Sequence, residues 1–141
     1  MKLRYLLDTN ILSEPLKPKS HEGVVKRLSE NRLYIATAAP VIYEIVQGVY
    51  GLPESKKRAE ILRYLEEFVY PNVPILSYNK EIAILHGELQ GNLSRIGKKA
   101  PDIDGQIAAI SQQHQLILVT RNVVDFRNFS ALTVENWFEL V

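Results

Sequence analysis

At 141 residues the chain is sized for one domain, 1–141, and with no cysteine it is excluded from disulfide frameworks and zinc–thiolate sites. Its composition, 46% hydrophobic and 23% charged, is that of a globular protein, and no apolar run approaches the roughly 20 residues needed to span a bilayer. Seventeen basic against sixteen acidic residues leave a formal net charge of +1, so bulk charge demands no nucleic-acid partner, and a case for RNA rests on where the charges sit.

The chain opens with a basic lead and a short apolar stretch that Asp8 interrupts. This reads as a first strand, Arg4 to Leu7, rather than a signal peptide. The absence of cysteine and of a leader is compatible with a cytoplasmic location. Pro15 to Lys19 reads as a loop, and Leu33 to Ala36 as a second strand. Behind Pro40, a good first-turn residue, Val41, Ile42, Ile45 and Val49 form a helical stripe. Ile61, Leu62, Leu65, Phe68 and Val69 form the next. Val73 to Leu76 is a third strand, at a sheet edge because Pro74 has no ladder N–H to donate. Ile82, Leu85, Leu89, Leu93 and Ile96 recur at helical spacing, followed by Ile103, Ile107 and Ile110. Leu116 to Thr120 is the clearest strand, apolar as in strands covered on both faces, and Leu132 to Glu135 is a last short one. Strands alternating with helices of this length imply βαβ units and an α/β fold around a mostly parallel sheet of four to five strands. In such sheets ligands bind beyond the carboxyl ends of the strands.

Acidic residues stand where that rule points. Asp8 directly follows the first strand, and Asp125 lies shortly after the Leu116–Thr120 strand. Asp104 opens the helix leading into that strand, and Glu44 sits within the apolar helix after the second. Taken singly, Asp8 and Asp104 also read as helix caps or turn formers. Glu44, flanked by Val41, Ile42, Ile45 and Val46, faces either the interior or solvent. Taken together, several carboxylates at one sheet edge repel one another unless a cation neutralises them. With no cysteine and only scattered histidines (His21, His86, His114), the donors are hard oxygens suited to Mg²⁺ or Mn²⁺.

The motifs carrying these acids resemble those of PIN-domain nucleases. Leu7-Asp8-Thr9-Asn10-Ile11-Leu12-Ser13-Glu14-Pro15 resembles their opening signature, and Glu44 with Gly48 their second motif. Asp104-Gly105-Gln106-Ile107-Ala108-Ala109 is similar to the third, and Thr120-Arg121-Asn122 with Asp125-Phe126 to the fourth. The order and spacing match from about Leu3 to the C-terminus, most closely resembling the short VapC-type toxins of bacterial toxin–antitoxin pairs. The resemblance implies a doubly wound α/β/α sandwich, a Mg²⁺- or Mn²⁺-dependent RNA endonuclease, a homodimer, and silencing by a cognate antitoxin that pushes a C-terminal segment toward the site. It implies Asp8, Glu44, Asp104 and Asp125 as the catalytic and metal-binding set, supported by Thr9, Thr120 and Asn122. Two departures stand out. Val41 occupies a position where relatives often carry Ser or Thr, and Asn122 occupies one usual place of the fourth acid, in competition with Asp125.

Among the basic residues, Arg121 is the phosphate-clamp candidate, and Arg95, Lys98 and Lys99, just before Asp102, are the candidate RNA contacts. The bland alternative for those clusters, and for Lys56, Lys57 and Arg58, is a solvated helix end, since basic residues favour helix C-termini. His86 reads as a packing residue on its stripe. Tyr43, Tyr50 and Trp137 read as core or interface. Asp102, after Pro101, reads as the cap of the helix that carries Asp104. Two rival functions remain. A phosphoaspartate enzyme or receiver domain lacks support, since Asp8-Thr9-Asn10 is not Asp-x-Asp and no paired acids precede Asp8. A non-catalytic RNA- or protein-binding module on the same fold predicts metal-independent binding.

Overall fold

In the computed structural model, which describes residues 2–139, the first strand is Tyr5–Leu7 (β1), apolar and buried throughout. Asp8 ends it and caps the short helix Thr9–Leu12 (α1). A 3-10 turn over Glu14–Leu16 leads to Glu22–Glu30 (α2), Ile35–Ala38 (β2) and Ala39–Tyr50 (α3). Next come Lys56–Tyr64 (α4), a π-helical turn over Leu65–Val69, Tyr70–Asn72 (α5) and Ile75–Leu76 (β3). The remainder comprises Lys80–Arg95 (α6), Asp102–Gln113 (α7), Ile117–Val119 (β4), a 3-10 turn over Val123–Phe126, and Val134–Glu135 (β5).

All four strand pairings are parallel, in the order β3-β2-β1-β4-β5. The chain winds outward from β1 to β3, then returns to the other side of β1 to place β4 and β5. This makes the junction of β1 and β4 the switch point, where the flanking connections diverge and leave a crevice. Asp8 follows β1 and Thr120 follows β4. The Asp8 N–H donates to the Val119 carbonyl at 2.9 Å, tying the two strand ends together. The core beneath is built from Leu6, Leu7, Leu118 and Val119 of the sheet with Ile11, Val41, Ile107, Ile110, Phe126 and Trp137. Each such side chain contributes roughly 1.5–3 kcal/mol on burial. Trp137 packs edge-on to Tyr5 at 5.2 Å and satisfies its ring N–H on Glu135 at 3.0 Å.

Several boundaries differ from the sequence reading. The second strand begins at Ile35, not Leu33, because the Tyr34 N–H closes a turn on the Asn31 carbonyl at 2.8 Å and leaves Leu33 exposed. It extends instead through Thr37, a buried polar residue whose hydroxyl donates to the Leu7 carbonyl at 2.8 Å. The third strand is at the edge, where the Pro74 carbonyl accepts the Thr37 N–H at 2.9 Å. Phe68 leaves the stripe predicted for it. The π-helical turn shifts the register so that Leu65 and Val69 point inward and Phe68 is 53% exposed. Ile96 lies past the end of α6 and is exposed. The predicted Pro15–Lys19 loop starts inside the 3-10 turn.

Candidate active site

Thr9 organises the first two acids. Its N–H donates to Asp8 Oδ1 at 2.8 Å and its hydroxyl to Glu44 Oε1 at 2.8 Å. Asp8 is buried, and its second oxygen receives the hydroxyl of buried Thr120 at 2.8 Å. Thr120 Oγ1 in turn accepts the Asn122 N–H at 3.1 Å. Burial drives the Asp8 carboxyl above the usual carboxylate range, the Thr120 and Thr9 bonds oppose it, and the charge of Asp125 adds to the rise. Glu44, in α3, is half-buried, between the two orientations the sequence left open.

Asp104 is the third residue of α7. Its carboxyl is pushed up to about 6, first by partial burial and then by the negative charges of Asp8, Asp125 and Glu44. The fold therefore brings all four predicted acids within electrostatic reach of one position. Asp125 is exposed on the Val123–Phe126 turn, yet its charge bears on both Asp8 and Asp104. Asn122 offers the cluster its backbone N–H only, and its side chain is exposed with no hydrogen bond among the described residues. Asp8 both caps α1 and bears electrostatically on Asp104.

The capping role predicted for Asp102 is not realised. The N-cap of α7 is Pro101, which offers no side-chain bond. Asp102 is already helical and exposed, with only a 3.8 Å approach to Lys99. Pro101 fixes the extended backbone that starts this helix, leaving no cap position for Asp102. Lys56, Lys57 and Arg58 form the first turn of α4, not a C-terminus, because Ser55 caps there by accepting the Arg58 N–H. Arg95, Lys98 and Lys99 are exposed at the end of α6 and in the loop before α7. The Arg121 guanidinium stacks 4.4 Å from the Phe138 ring. His86 is half-buried on its stripe and bonded through Nδ1 to the Tyr78 hydroxyl at 2.9 Å, but its buried Nε2 has no hydrogen-bond partner among the described residues.

Two residues that sequence reasoning left without a role help shape this crevice. Asn10 Oδ1 accepts the Arg121 N–H at 2.9 Å, pinning the turn that carries Thr120 and Asp125 to α1. Glu14 is buried, and although burial pushes its carboxyl upward, the His21 N–H at 2.8 Å, Lys17 at 3.1 Å and the charge of Arg121 hold it below the usual range. Only their place in the opening motif hinted at either role, since the partners are remote or invisible to pattern.

The donor set fits a divalent cation. Among the described residues, no lysine or arginine forms an ion pair with any of the four acids, so none of these residues' cations offsets their mutual repulsion by direct pairing. Among the same residues, no three acidic or histidine side chains are gathered closely enough to cage an ion, so binding one requires the carboxylates to close on it.

The PIN domain family model matches residues 5–132. The chain is 31% identical over 137 residues to Toxin FitB of Neisseria gonorrhoeae, covering 95% of this chain and 99% of that protein. It is 30% identical over 135 residues to Ribonuclease VapC2 of Haemophilus influenzae, covering 96% and 98%. Among solved structures it is similar to VapBC2 from Rickettsia felis bound to a DNA fragment from their promoter, with a TM-score of 0.82, 27% identity, and 97% and 99% of the two chains covered.

Proposed function

We propose, since the chain belongs to the PIN-domain family, that it is a metal-dependent endoribonuclease acting as the toxin of a type II toxin–antitoxin pair in the cytoplasm. The observation that supports this most directly is Asp104, whose carboxyl is raised to about 6 by partial burial and by three other acids facing it at the sheet's switch point. The gonococcal relative is named a toxin and the Haemophilus relative a ribonuclease, and the rickettsial one was solved as a two-component complex on DNA. From these come an RNA substrate and a cognate antitoxin as partners.

Asp8, Asp104, Glu44 and Asp125 would hold Mg²⁺ or Mn²⁺. When bound, such an ion activates a water and stabilises the leaving oxygen of a phosphodiester. The chain's own contribution is to fix the donors. Thr120 and the Thr9 N–H hold both oxygens of Asp8, and the Thr9 hydroxyl orients Glu44. Asp104, its carboxyl raised to about 6, is mostly ionised at neutral pH and would serve as a donor there. On this reading Arg121, beside Thr120, meets a phosphate of the strand, and Arg95, Lys98 and Lys99 are further contacts. The chain acts as a homodimer through α3, on which Tyr43 and Tyr50 are 53% and 58% exposed.

The purified protein is expected to cut single-stranded or looped RNA with Mg²⁺ or Mn²⁺ and to stop in EDTA, while light scattering gives a dimer mass. Metal-independent RNA binding without cleavage would instead establish the binding-module reading. A scattering mass equal to the 16.1 kDa chain would contradict the dimer.

A further inference from the structure

We propose that Gln90 is a positioning residue for the third acid: by clamping the entry of α7 it sets where Asp104 stands. The inference rests on the reading of the four acids as the nuclease site. Asp8 is held in place by two hydrogen bonds and Glu44 by one, whereas the Asp104 carboxylate receives none among the described residues. Its position against three like charges therefore depends on the backbone that carries it.

That backbone is fixed from α6. Gln90 is buried on the helix face that also carries Ile82, His86 and Leu93, at the three- and four-residue spacings that share a face. Its amide makes two complementary bonds with one remote residue. Nε2 donates to the Ala100 carbonyl at 2.8 Å, and Oε1 accepts the Ala100 N–H at 3.0 Å. Ala100 precedes Pro101, whose carbonyl accepts the Gly105 N–H at 3.0 Å as α7 begins. An apolar residue at 90 would fill the space but leave both Ala100 groups without these partners.

Gly105 meets the same amide from the other side. A Cβ at residue 105 would stand 2.6 Å from Gln90 Nε2 and 2.7 Å from His86 Nε2, too close for any side chain unless both of these side chains move. The bare backbone of Gly105 lets α7 lie directly on α6, and Asp104 is the adjacent residue. The first turn of α7 is thus gripped at Ala100 and seated at Gly105, both on Gln90. Losing the grip frees the turn to swing outward under the repulsion Asp104 feels.

Gln90→Met keeps length and an apolar stem while removing both bonds. It is expected to lower kcat for RNA cleavage at least about tenfold with KM held within about twofold, as displacement of a reacting group does. Calorimetric titration of Mn²⁺ into the metal-free variant is expected to show about tenfold weaker binding, and the Ala100 amide to exchange faster with solvent. Wild-type kcat and Mn²⁺ affinity in the variant would overturn the inference. Should Gln90→Met not fold, Gly105→Ala reads the same joint, since its Cβ displaces the Gln90 amide; a Gly105→Ala protein with wild-type kcat and Mn²⁺ affinity would overturn it equally. A wild-type protein that neither binds Mn²⁺ nor cuts RNA would instead defeat the metal-nuclease reading, a failure distinct from that of the clamp.

Discussion

Asp8→Asn is expected to reduce RNA cleavage by about 10²–10³-fold or more while the metal-free protein melts no lower than the wild type. The buried carboxylate sits where charge is costly, and its pKa is already driven upward by burial and by Asp125. An amide keeps the shape and the cap. Its oxygen accepts the Thr9 N–H that Asp8 Oδ1 accepts now, and its NH₂ donates to a rotated Thr120 hydroxyl in place of the present bond at Oδ2. What it loses is the negative charge, the property a cation requires. Gel assays of labelled RNA and thermal melts of the metal-free protein check both halves. Wild-type cleavage by the variant would remove Asp8 from the chemistry, and a large drop in melting temperature would assign it to the fold instead.

The second large effect concerns Asp104 and has a pH signature. Its carboxyl titrates near 6 in the folded protein against 3.8 in an unfolded chain, so between those values the folded state binds the extra proton. The contribution of Asp104 to the stability of the metal-free protein is therefore greatest below about pH 4, falls as pH rises from about 4 to 6, and levels off above. Asp104→Asn removes that slope, leaving one of the same sign from Asp8 and one of opposite sign from Glu14. At pH 7 the variant should be more stable by about 1 kcal/mol, the full shift being discounted for partial exposure. It should also lose cleavage by orders of magnitude, and Mg²⁺ should stabilise wild type but not the variant. Asp102→Ala is the control. Its carboxylate is exposed and caps nothing, so activity and stability should stay near wild type. Loss of cleavage in Asp102→Ala with retention in Asp104→Asn would reverse the assignment of the third acid.

The parallel sheet was legible because β-type runs alternate with amphipathic helices, a pattern that leaves few topologies. The candidate site was legible because Asp8, Glu44, Asp104 and Asp125 stand in motifs at the ends or flanks of those elements. What escaped depended on contacts between remote parts of the chain. Leu33 is as apolar as the residues beside it, and only a turn closed on Asn31 takes it out of the sheet. Phe68 follows a regular stripe that a single π-helical turn breaks. Asp102 carries the local signature of a cap, but the helix starts one residue earlier than that signature implies, with Pro101 at the N-cap. Gln90 carries no local signal at all, since its partner Ala100 lies ten residues on across a turn.

The most direct test of the carboxylate cluster as a metal centre is an anomalous difference map from crystals soaked in Mn²⁺. A peak is expected at the carboxyl end of the sheet, ligated by Asp8 and Asp104 with Glu44 and Asp125 around it, and is expected to be lost in Asp8→Asn. A crevice with no peak under the same soak, or Mn²⁺ bound only elsewhere on the surface, would contradict the metal-centre reading.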